Sequence, residues 1–264
     1  MKGRVLIVAG SDSGGGAGIQ ADIKTVTMLG AFAATAVTAL TAQNTQGVFG
    51  VLPIPPDFIR QQIEVVLDDI GADAIKTGML HDEAVIETVA AVLAERAPAV
   101  PLVVDPVMVA KGGAPLIEPG AIEALKRRLI VRASVLTPNL PEAEILIGRA
   151  IDSLAAMHEG AQRLLDLGCG AVLLKGGHLP GDTVFDVLAT ARSRRVWSGS
   201  RIASRHTHGT GCTLASAIAA GLAQGMALDA AIERARDYVR RAIASAPGFG
   251  HGHGPLDHAH PLRS

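Results

Sequence analysis

Two segments carry residues suited to binding an anion. The stretch His208–Thr213 reads His-Gly-Thr-Gly-Cys-Thr and leads into a predicted helix of small residues, and Lys175 ends an apolar run. A glycine-rich turn that opens a helix directs free N–H groups and the positive end of the helix dipole toward a ligand. Lys175 at the end of a buried strand would be an unpaired charge unless a phosphate accompanied it. Together they point to a phosphate site.

The same turn has a second, purely structural explanation. An ordinary helix start with a small packed Cys212 accounts for its glycines equally well. In either case Cys212 would lie in the first turn of the helix. We therefore expect the helix start to lower the pKa of its thiol.

A further group combines an amide with carboxylates. Asn139 and Glu142 stand three residues apart across a predicted helix start, so both side chains can reach one point. Mg²⁺ prefers oxygen ligands and keeps several waters, so a carboxylate at this position could hold it. A capping box, in which the two side chains satisfy each other's backbone N–H groups, explains the pair equally well. Asp105 ends another buried strand at the same predicted sheet edge.

Two loops could enclose an organic ring. The first predicted strand runs into Gly10–Gly18, a glycine-rich loop that is neither a Walker A sequence nor a dinucleotide fingerprint. Its glycines would let the backbone approach a ligand closely, although a tight turn also explains them. Asp22, one turn into the following helix, could face the same crevice or lie on the surface. Gln43 follows the next strand, where its amide could pair a donor and an acceptor with a heterocycle.

The elements that must position these residues alternate along the chain. Short apolar runs predict strands, and longer amphipathic stretches predict helices, as in a doubly wound α/β/α sandwich with a mostly parallel sheet. Ligands of such a sheet gather at the carboxyl ends of its strands. The predicted strands are Val5–Ala9, Ala33–Leu40, Ala74–Thr77, Leu102–Asp105, Ser134–Thr137 and Ala171–Lys175. The predicted helices are Ala17–Leu29, Pro56–Asp69, Asp82–Ala94, Pro119–Leu129, Pro141–Ile147, Ser153–Leu167, Gly211–Ala223 and Leu228–Ser245.

Two segments depart from this alternation. Asp182–Ile202 contains two short β-prone runs around a basic turn, which predicts a hairpin or small flap near the sheet edge. Gly250–His260 holds four of the nine histidines. Its histidines lack the spacing of a metal site, so we expect an exposed terminus there. With no repeat or linker in view, residues 1–264 are predicted to form a single domain.

Composition limits the classes of function. The 264 residues carry a formal net charge of −1, which gives no indication of a nucleic-acid partner or an anionic membrane surface. No apolar run is long enough to span a bilayer, and the start of the chain is interpreted as a strand rather than a signal peptide. Only Cys169 and Cys212 are present, which favours a reducing cytoplasm. The motifs of zinc and serine hydrolases are absent, whereas strand-end lysine, carboxylates and glycine loops suit phosphoryl transfer.

Seven motifs, taken in order, resemble the bacterial hydroxymethylpyrimidine/phosphomethylpyrimidine kinases of the ribokinase-like superfamily. The resemblance spans essentially the whole chain. The motifs are AGSDSGGGAGIQAD at 9–22, AQNTQG at 42–47, KTGML at 76–80, DPVMVAKG at 105–112, TPNLPEAE at 137–144, KGGH at 175–178 and THGTGCT at 207–213.

The resemblance implies an activity and a set of site residues. ATP would phosphorylate 4-amino-5-hydroxymethyl-2-methylpyrimidine, and a second ATP would convert the monophosphate to the diphosphate for thiamine synthesis. The ring would be bound by Gln43 and enclosed by Gly10, Ala17, Asp22, Met79 and Val107. ATP would be held by Asn139, Lys175, Gly209, Thr210 and Gly211, with Glu142 and Asp105 placing Mg²⁺. Catalysis would rest on Lys175, Gly209, Gly211 and Cys212, the last standing where most of the superfamily has an aspartate base. Family precedent also allows a homodimer.

Two other functions remain compatible with these residues. A pyridoxal kinase shares the fold and also acts on a hydroxymethyl group of an aromatic ring. Some of those enzymes carry a second cysteine on the lid, and here the lid reads Val109-Ala110-Lys111, before a mobile Gly112-Gly113. The missing cysteine favours the pyrimidine. A non-catalytic binding protein should have lost Lys175 or Glu142, and both are present.

Overall fold

A single twisted sheet organises the molecule, whose computed structural model describes residues 1–109, 113, 116–118 and 120–263. Within these residues nine strands lie in the order β3-β2-β1-β4-β5-β6-β7-β8-β9. Neighbours from β2 to β7 pair in parallel, whereas β3 at one edge and β8 and β9 at the other are antiparallel. The strands are β1 (Arg4–Asp12), β2 (Phe32–Asn44), β3 (Gly47–Pro53), β4 (Ala74–Thr77), β5 (Leu102–Val104), β6 (Val135–Leu136), β7 (Ala171–Lys175), β8 (Thr183–Thr190) and β9 (Arg194–Ser200).

Helices cover both faces of this sheet. The central strand β1 shows why, because Val5 and Ile7 belong to one apolar cluster and Leu6 and Val8 to another. Successive side chains of a strand point to opposite faces, so a strand that is apolar throughout needs cover on both. The helices are α1 (Gly18–Met28), α2 (Pro56–Asp69), α3 (Glu83–Arg96), α4 (Ala121–Ala124), α5 (Leu140–Ile147), α6 (Leu154–Leu165), α7 (Thr210–Ala223) and α8 (Leu228–Ala244). Helices α1, α7 and α8 pack on one face and α2 to α6 on the other.

The predicted three-layer sandwich is confirmed, and most elements begin or end within a few residues of their predicted bounds. The predicted hairpin at 182–202 forms β8 and β9, which continue the main sheet beyond β7. Strand β3 was not predicted, because Gly47, Gly50 and Pro53 weaken the β signal of an exposed edge strand. The predicted helix at 119–129 becomes α4, then a π-helical turn at Leu125–Leu129 and a 3₁₀ turn at Ile130–Arg132. Its first residue lies outside the described ones.

The expectation of an exposed C-terminal tail is wrong for residues 254–260. Leu256 and His258 are buried, and the His258 imidazole lies 2.9 Å from the Thr213 hydroxyl on α7. The backbone N–H of Asp257 donates to Ala242 on α8. Further back, the N–H of His253 donates to Thr45, beside the β2–β3 turn. The tail therefore links the last helices to the loop that follows β2.

A helix that crosses a bilayer must be both long and predominantly apolar. No helix in the described part of the chain meets both requirements.

Candidate active site

An open cleft runs along the carboxyl ends of the parallel strands. Its volume of about 640 Å³ is of the size that proteins use for cofactors and small substrates. It brings together every predicted site residue except Asp22. Those that line it are Gly10, Ala17, Gln43, Met79, Asp105, Val107, Asn139, Glu142, Lys175, Gly209, Thr210, Gly211 and Cys212. Residues 110–112 of the predicted lid lie outside the described residues.

The start of α7 forms one wall of the cleft. Gly209 precedes the helix with φ of +81°, and a Cβ there would overlap the carbonyl oxygen of Gly16. A Cβ added to Gly211 would meet Lys175 Nζ at 3.2 Å. The glycines thus let the helix start lie against both the first loop and the strand-end lysine. The free N–H groups of α7 and the Lys175 ammonium converge on one place, as an anion site requires.

Lys175 is not an unpaired charge, contrary to the sequence-based expectation. Its Nζ donates to Asp105 Oδ1 at 3.1 Å, and the Asp105 side chain is buried. Burial alone would lower the pKa of Lys175, but the carboxylates of Asp105 and Glu142 outweigh it and raise that pKa. Lys175 is therefore a permanent cation that already has an acidic partner. A phosphate entering the cleft would share the lysine with Asp105.

Glu142 and Asn139 make the capping box that the sequence left as an alternative. The Asn139 side chain accepts from Glu142 N at 2.9 Å, and Glu142 Oε2 accepts from Asn139 N at 2.8 Å. Burial, together with the charge of Asp105, raises the pKa of Glu142 to about 7, although Lys175 opposes the shift. The cap occupies one oxygen of Glu142, and it fixes the carboxylate at the cleft wall.

The charge of Asp105 hinders the ionisation of Glu142, and a cation between the two carboxylates would relieve this repulsion. The residues present fit Mg²⁺ bound through Glu142 and Asp105 with water and phosphate oxygens. Among the described residues, no group of three or more histidine, cysteine or acidic side chains could hold a metal without such help. A site of this kind suits Mg²⁺ that arrives with a nucleotide.

Cys212 lies in the first turn of α7 at the floor of the cleft. Burial raises the pKa of its thiol to about 12, and the nearby charges of Asp22 and Asp105 add to this effect, while Lys76 opposes it. The predicted lowering of this pKa is therefore wrong. The helix start does face the thiol, but desolvation and two carboxylates outweigh it. Cys212 is therefore a protonated thiol at neutral pH.

Asp22 lies beneath the cleft instead of on its wall. It is fully buried, where it accepts from Lys76 Nζ at 2.8 Å and from Ser216 at 2.6 Å. Lys76 is equally buried, and its amine reaches the cleft floor. Burial opposes its charge, but the Asp22 carboxylate raises the pKa of Lys76. The pair joins α1, β4 and α7 behind Cys212.

Lys76 is a residue that the site prediction missed. A lysine inside a four-residue strand whose side chains are all buried needs an acidic partner, so its position alone could have drawn attention to it. Asp12 and His208 were also missed, although both line the cleft. Asp12 accepts from the N–H groups of Gly14, Gly16 and Ala17, and so shapes the glycine loop. An aspartate before several glycines is a common turn former, so its sequence gave no functional signal.

Comparison with known proteins decides the family. The sequence profile of the family described as phosphomethylpyrimidine kinase matches residues 12–257. The chain belongs to the phosphomethylpyrimidine kinase family. The resemblance inferred from the motifs is thereby confirmed, and so is the prediction of a kinase.

Several phosphomethylpyrimidine kinases are similar over nearly the whole chain. The hydroxymethylpyrimidine/phosphomethylpyrimidine kinase of Bacillus subtilis is 46% identical, over 97% of this chain and 94% of its own. That of Escherichia coli is 42% identical, over 97% of each chain. The thiamine biosynthesis bifunctional protein ThiED of Geobacter sulfurreducens is 54% identical over 97% of this chain. The chain spans 52% of that longer relative.

Solved structures show the same fold. The phosphomethylpyrimidine kinase of Clostridium difficile 630 superposes with a TM-score of 0.82 at 40% identity, covering 92% of this chain and all of its own. The ADP complex of Bacillus subtilis pyridoxal kinase superposes with a TM-score of 0.91 at 36% identity, covering 100% of this chain and 99% of its own. Complexes of Staphylococcus aureus pyridoxal kinase with AMP-PCP show that such a fold binds a nucleotide.

Proposed function

We propose that this chain is a single kinase domain that transfers the γ-phosphoryl group of ATP to the hydroxymethyl group of 4-amino-5-hydroxymethyl-2-methylpyrimidine, and then to its monophosphate, in thiamine biosynthesis. One observation carries the proposal. The α7 start and Lys175, which suit a phosphate, share a single cleft with Gln43 and the glycine loop, which suit a small polar ring. The names of the relatives support the same pair of reactions.

The ring end of the cleft is assigned to substrate. Gln43 would hydrogen-bond the aminopyrimidine, with Gly10, Ala17, Met79 and Val107 enclosing the ring. A Cβ on Gly10 would meet Met79 Sδ at 3.1 Å, so these two residues already form a close apolar wall. Asp22 would contribute only indirectly, through its ion pair with Lys76 beneath the cleft.

The other end is assigned to ATP. Asn139, Thr210, the glycines 209 and 211, and Lys175 would hold the phosphates, while Glu142 and Asp105 would hold Mg²⁺. Mg²⁺ bound there supplies neutralisation of phosphate charge. Lys175 and the N–H groups of α7 stabilise the charge that spreads over the transferred group, which is where most of the catalysis lies in phosphoryl transfer.

As a thiol, Cys212 already carries a proton and cannot receive the one that the substrate hydroxyl loses. Its raised pKa makes it a thiol before substrate binds, so it is a poor general base. A loose transition state requires little removal of the proton before the phosphoryl group has left ATP. Positioning and neutralised charge are thus the main contributions of this chain.

Pyridoxal kinase activity is the second candidate, because pyridoxal kinases are among the structures that superpose with this chain. The decisive experiment is ³¹P NMR of product mixtures. Purified protein is incubated with Mg·ATP and, separately, with hydroxymethylpyrimidine, its monophosphate or pyridoxal. We expect the pyrimidine diphosphate from both pyrimidines. Phosphorylation of pyridoxal alone would overturn the substrate, and no turnover at all would favour a binding protein.

We further propose that the enzyme is a cytoplasmic homodimer. Both cysteines are free, as suits a reducing compartment. Strand β3 is an edge of the sheet and exposes Phe49 and Leu52, the former to 71%. An apolar edge strand invites pairing with a second chain. A second copy of this molecule would cover those side chains.

A further inference from the structure

Three side chains form a chain of contacts at the ring end of the cleft. His208 Nε2 lies 2.8 Å from Asp12 Oδ2 and 3.2 Å from Gln43 Nε2. All three line the cleft, where Asp12 and His208 are buried and Gln43 is half-buried. None of the roles assigned above uses Asp12 or His208.

The surroundings of Asp12 fix where the proton of His208 lies. Gly14 N donates to Oδ1 at 2.8 Å, and Ala17 N and Gly16 N donate to Oδ2 at 2.8 and 3.1 Å. Burial opposes ionisation, but the bonds from His208 and the backbone outweigh it and lower the pKa of Asp12. Asp12 is thus a carboxylate, which can only accept. His208 must therefore carry a proton on Nε2.

That proton decides how the Gln43 amide is turned. The one proton on His208 Nε2 is donated mainly to Asp12, and a protonated ring nitrogen cannot accept from an NH₂ group, so the amide end that faces it is the oxygen, Oε1, which shares that proton. The nitrogen and oxygen of an amide are assigned from their hydrogen-bond partners, and the heavy-atom positions fit either orientation.

The contacts of Thr41 lead independently to the same orientation of the Gln43 amide. Its hydroxyl lies 2.9 Å from Ser11 O and 3.2 Å from the far end of the Gln43 amide. The single hydroxyl proton goes to the Ser11 carbonyl, which can only accept. The hydroxyl oxygen is then free to accept from Gln43 Nε2. Both neighbours place Oε1 toward His208 and Nε2 toward Thr41.

We propose that Asp12 and His208 are positioning residues that hold the Gln43 amide in this one orientation and thereby select the substrate ring. The amide uses one of its N–H groups on Thr41 and one of its oxygen lone pairs on His208. Its second N–H and its second lone pair remain free, and they face the cleft side by side. That pair matches an amine next to a ring nitrogen, the edge of a 4-aminopyrimidine. A pyridine ring without the amine can hydrogen-bond to only one member of this donor–acceptor pair. The inference rests on the proposed function for its ligand.

A structural role must be separated from this one, because His208 also precedes the phosphate-binding turn. Gly209 packs on the carbonyl of Gly16, and His208 N donates to Gly254 O. Loss of the imidazole could therefore disturb ATP as well as the ring. An effect on positioning would act through Gln43 alone.

The first test needs no substrate. The ¹⁵N imidazole spectrum of the free enzyme is recorded, and the His208 signals are assigned by their loss in His208→Gln. We expect a protonated Nε2 at pH 7.5. An unprotonated Nε2 would overturn the proposal, whatever the enzyme phosphorylates.

The second test is a double-mutant cycle on KM. His208→Leu should raise the KM for the pyrimidine by about tenfold, with the KM for ATP changed less than about twofold. His208→Gln keeps a side-chain N–H and should restore part of the loss. In a Gln43→Leu background, His208→Leu should add nothing. Additive effects would mean a structural role and would overturn the proposal. His206→Leu, two residues away, is the matched control and should leave both KM values unchanged.

The outcome is separable from that of the proposed function. If the wild type phosphorylates pyridoxal but no pyrimidine, the proposed substrate fails, and the cycle is run with pyridoxal. If it turns over neither compound, calorimetric Kd values for the aminopyrimidine replace KM. In each case coupling between positions 43 and 208 supports the positioning role, and its absence excludes it.

Discussion

At the scale of single residues, the charge balance around Lys175 is the central feature of the end of the cleft proposed to bind phosphate. One lysine faces two buried carboxylates, Asp105 and Glu142. Its ammonium compensates their charge and would turn to the phosphates when ATP is bound. The lysine is thus suited to stabilise charge in the transition state without being unpaired in the free enzyme.

Replacement of Lys175 by alanine should lower kcat by about 10²–10³-fold, with a smaller change in the KM for ATP. The charge is needed most as the transferred group becomes metaphosphate-like. Steady-state kinetics checks this. Lys126→Ala, which removes a half-buried lysine paired with Glu123, is the control and should behave as wild type. An unchanged kcat would remove Lys175 from the mechanism.

Cys212 should react slowly with iodoacetamide at neutral pH. Only the thiolate reacts, and a pKa of about 12 leaves little of it at pH 7. Between pH 7 and 9 the alkylation rate should rise about tenfold per pH unit. Intact-mass spectrometry measures this, with Cys212→Ser showing any contribution from Cys169. A rate that levels off below pH 9 would mean that the thiol pKa is ordinary.

At the scale of elements, the buried Lys76–Asp22 pair connects three of them. Lys76 comes from β4, Asp22 from α1, and Ser216 from α7 donates to the same carboxylate. Breaking a buried ion pair leaves an uncompensated charge, whereas removing both partners does not. The pair therefore holds α1 and α7 against the sheet below the cleft.

Lys76→Met should lower the free energy of unfolding by about 3–5 kcal/mol, because it leaves Asp22 buried and unpaired. Lys76→Met combined with Asp22→Asn should recover most of that loss. Urea denaturation of wild type and both variants measures the effect. If the double variant is as unstable as the single one, packing of the lysine stem, and not its charge, is what the fold requires.

The edge strand β3 gives a prediction about assembly. Phe49→Lys combined with Leu52→Lys should convert the proposed dimer to a monomer, because both lysines would have to be buried in an apolar interface and remain in water instead. Light scattering after size exclusion gives the mass. Val65→Lys, at an exposed position on α2, should leave the mass unchanged. A monomeric wild type would exclude the homodimer at once.

At the scale of the whole molecule, the C-terminal tail closes the fold. It links α8, α7 and the β2–β3 turn, and places His258 in a buried site against Thr213. Burial, with the charges of Lys24 and His260, lowers the pKa of His258 to about 4. The folded protein thus requires this imidazole to be neutral.

Stability should therefore fall as the pH drops from about 6.5 toward 4. In that window the unfolded chain binds a proton at His258 and the folded one does not, so acid favours unfolding. The contribution reaches about 3 kcal/mol at most. Urea denaturation at pH 7.5, 6 and 5 should show a steeper loss in wild type than in His258→Asn. Equal slopes would show that His258 is not the group that titrates.

Most of the candidate site was predictable at the level of residue type. Lys175, Glu142, Gln43 and the turn at 208–213 stand at strand ends or helix starts, where a parallel sheet brings side chains together. The sequence did not determine which of these side chains would interact with one another. Whether Lys175 meets Asp105 or a phosphate depends on which strands are neighbours, and β5 and β7 lie two positions apart.

The sequence by itself determined the layered α/β fold, the order of its motifs and the family, because periodicity and motif spacing are local properties. Only the tertiary structure decided that Asp22 pairs with Lys76, that burial raises the pKa of Cys212, that the tail is packed, and that Asp12 meets His208. These pairs are separated by 54 and 196 residues. Desolvation and charge pairing depend on distance in space, which chain position does not reveal when the partners come from opposite ends of the sequence.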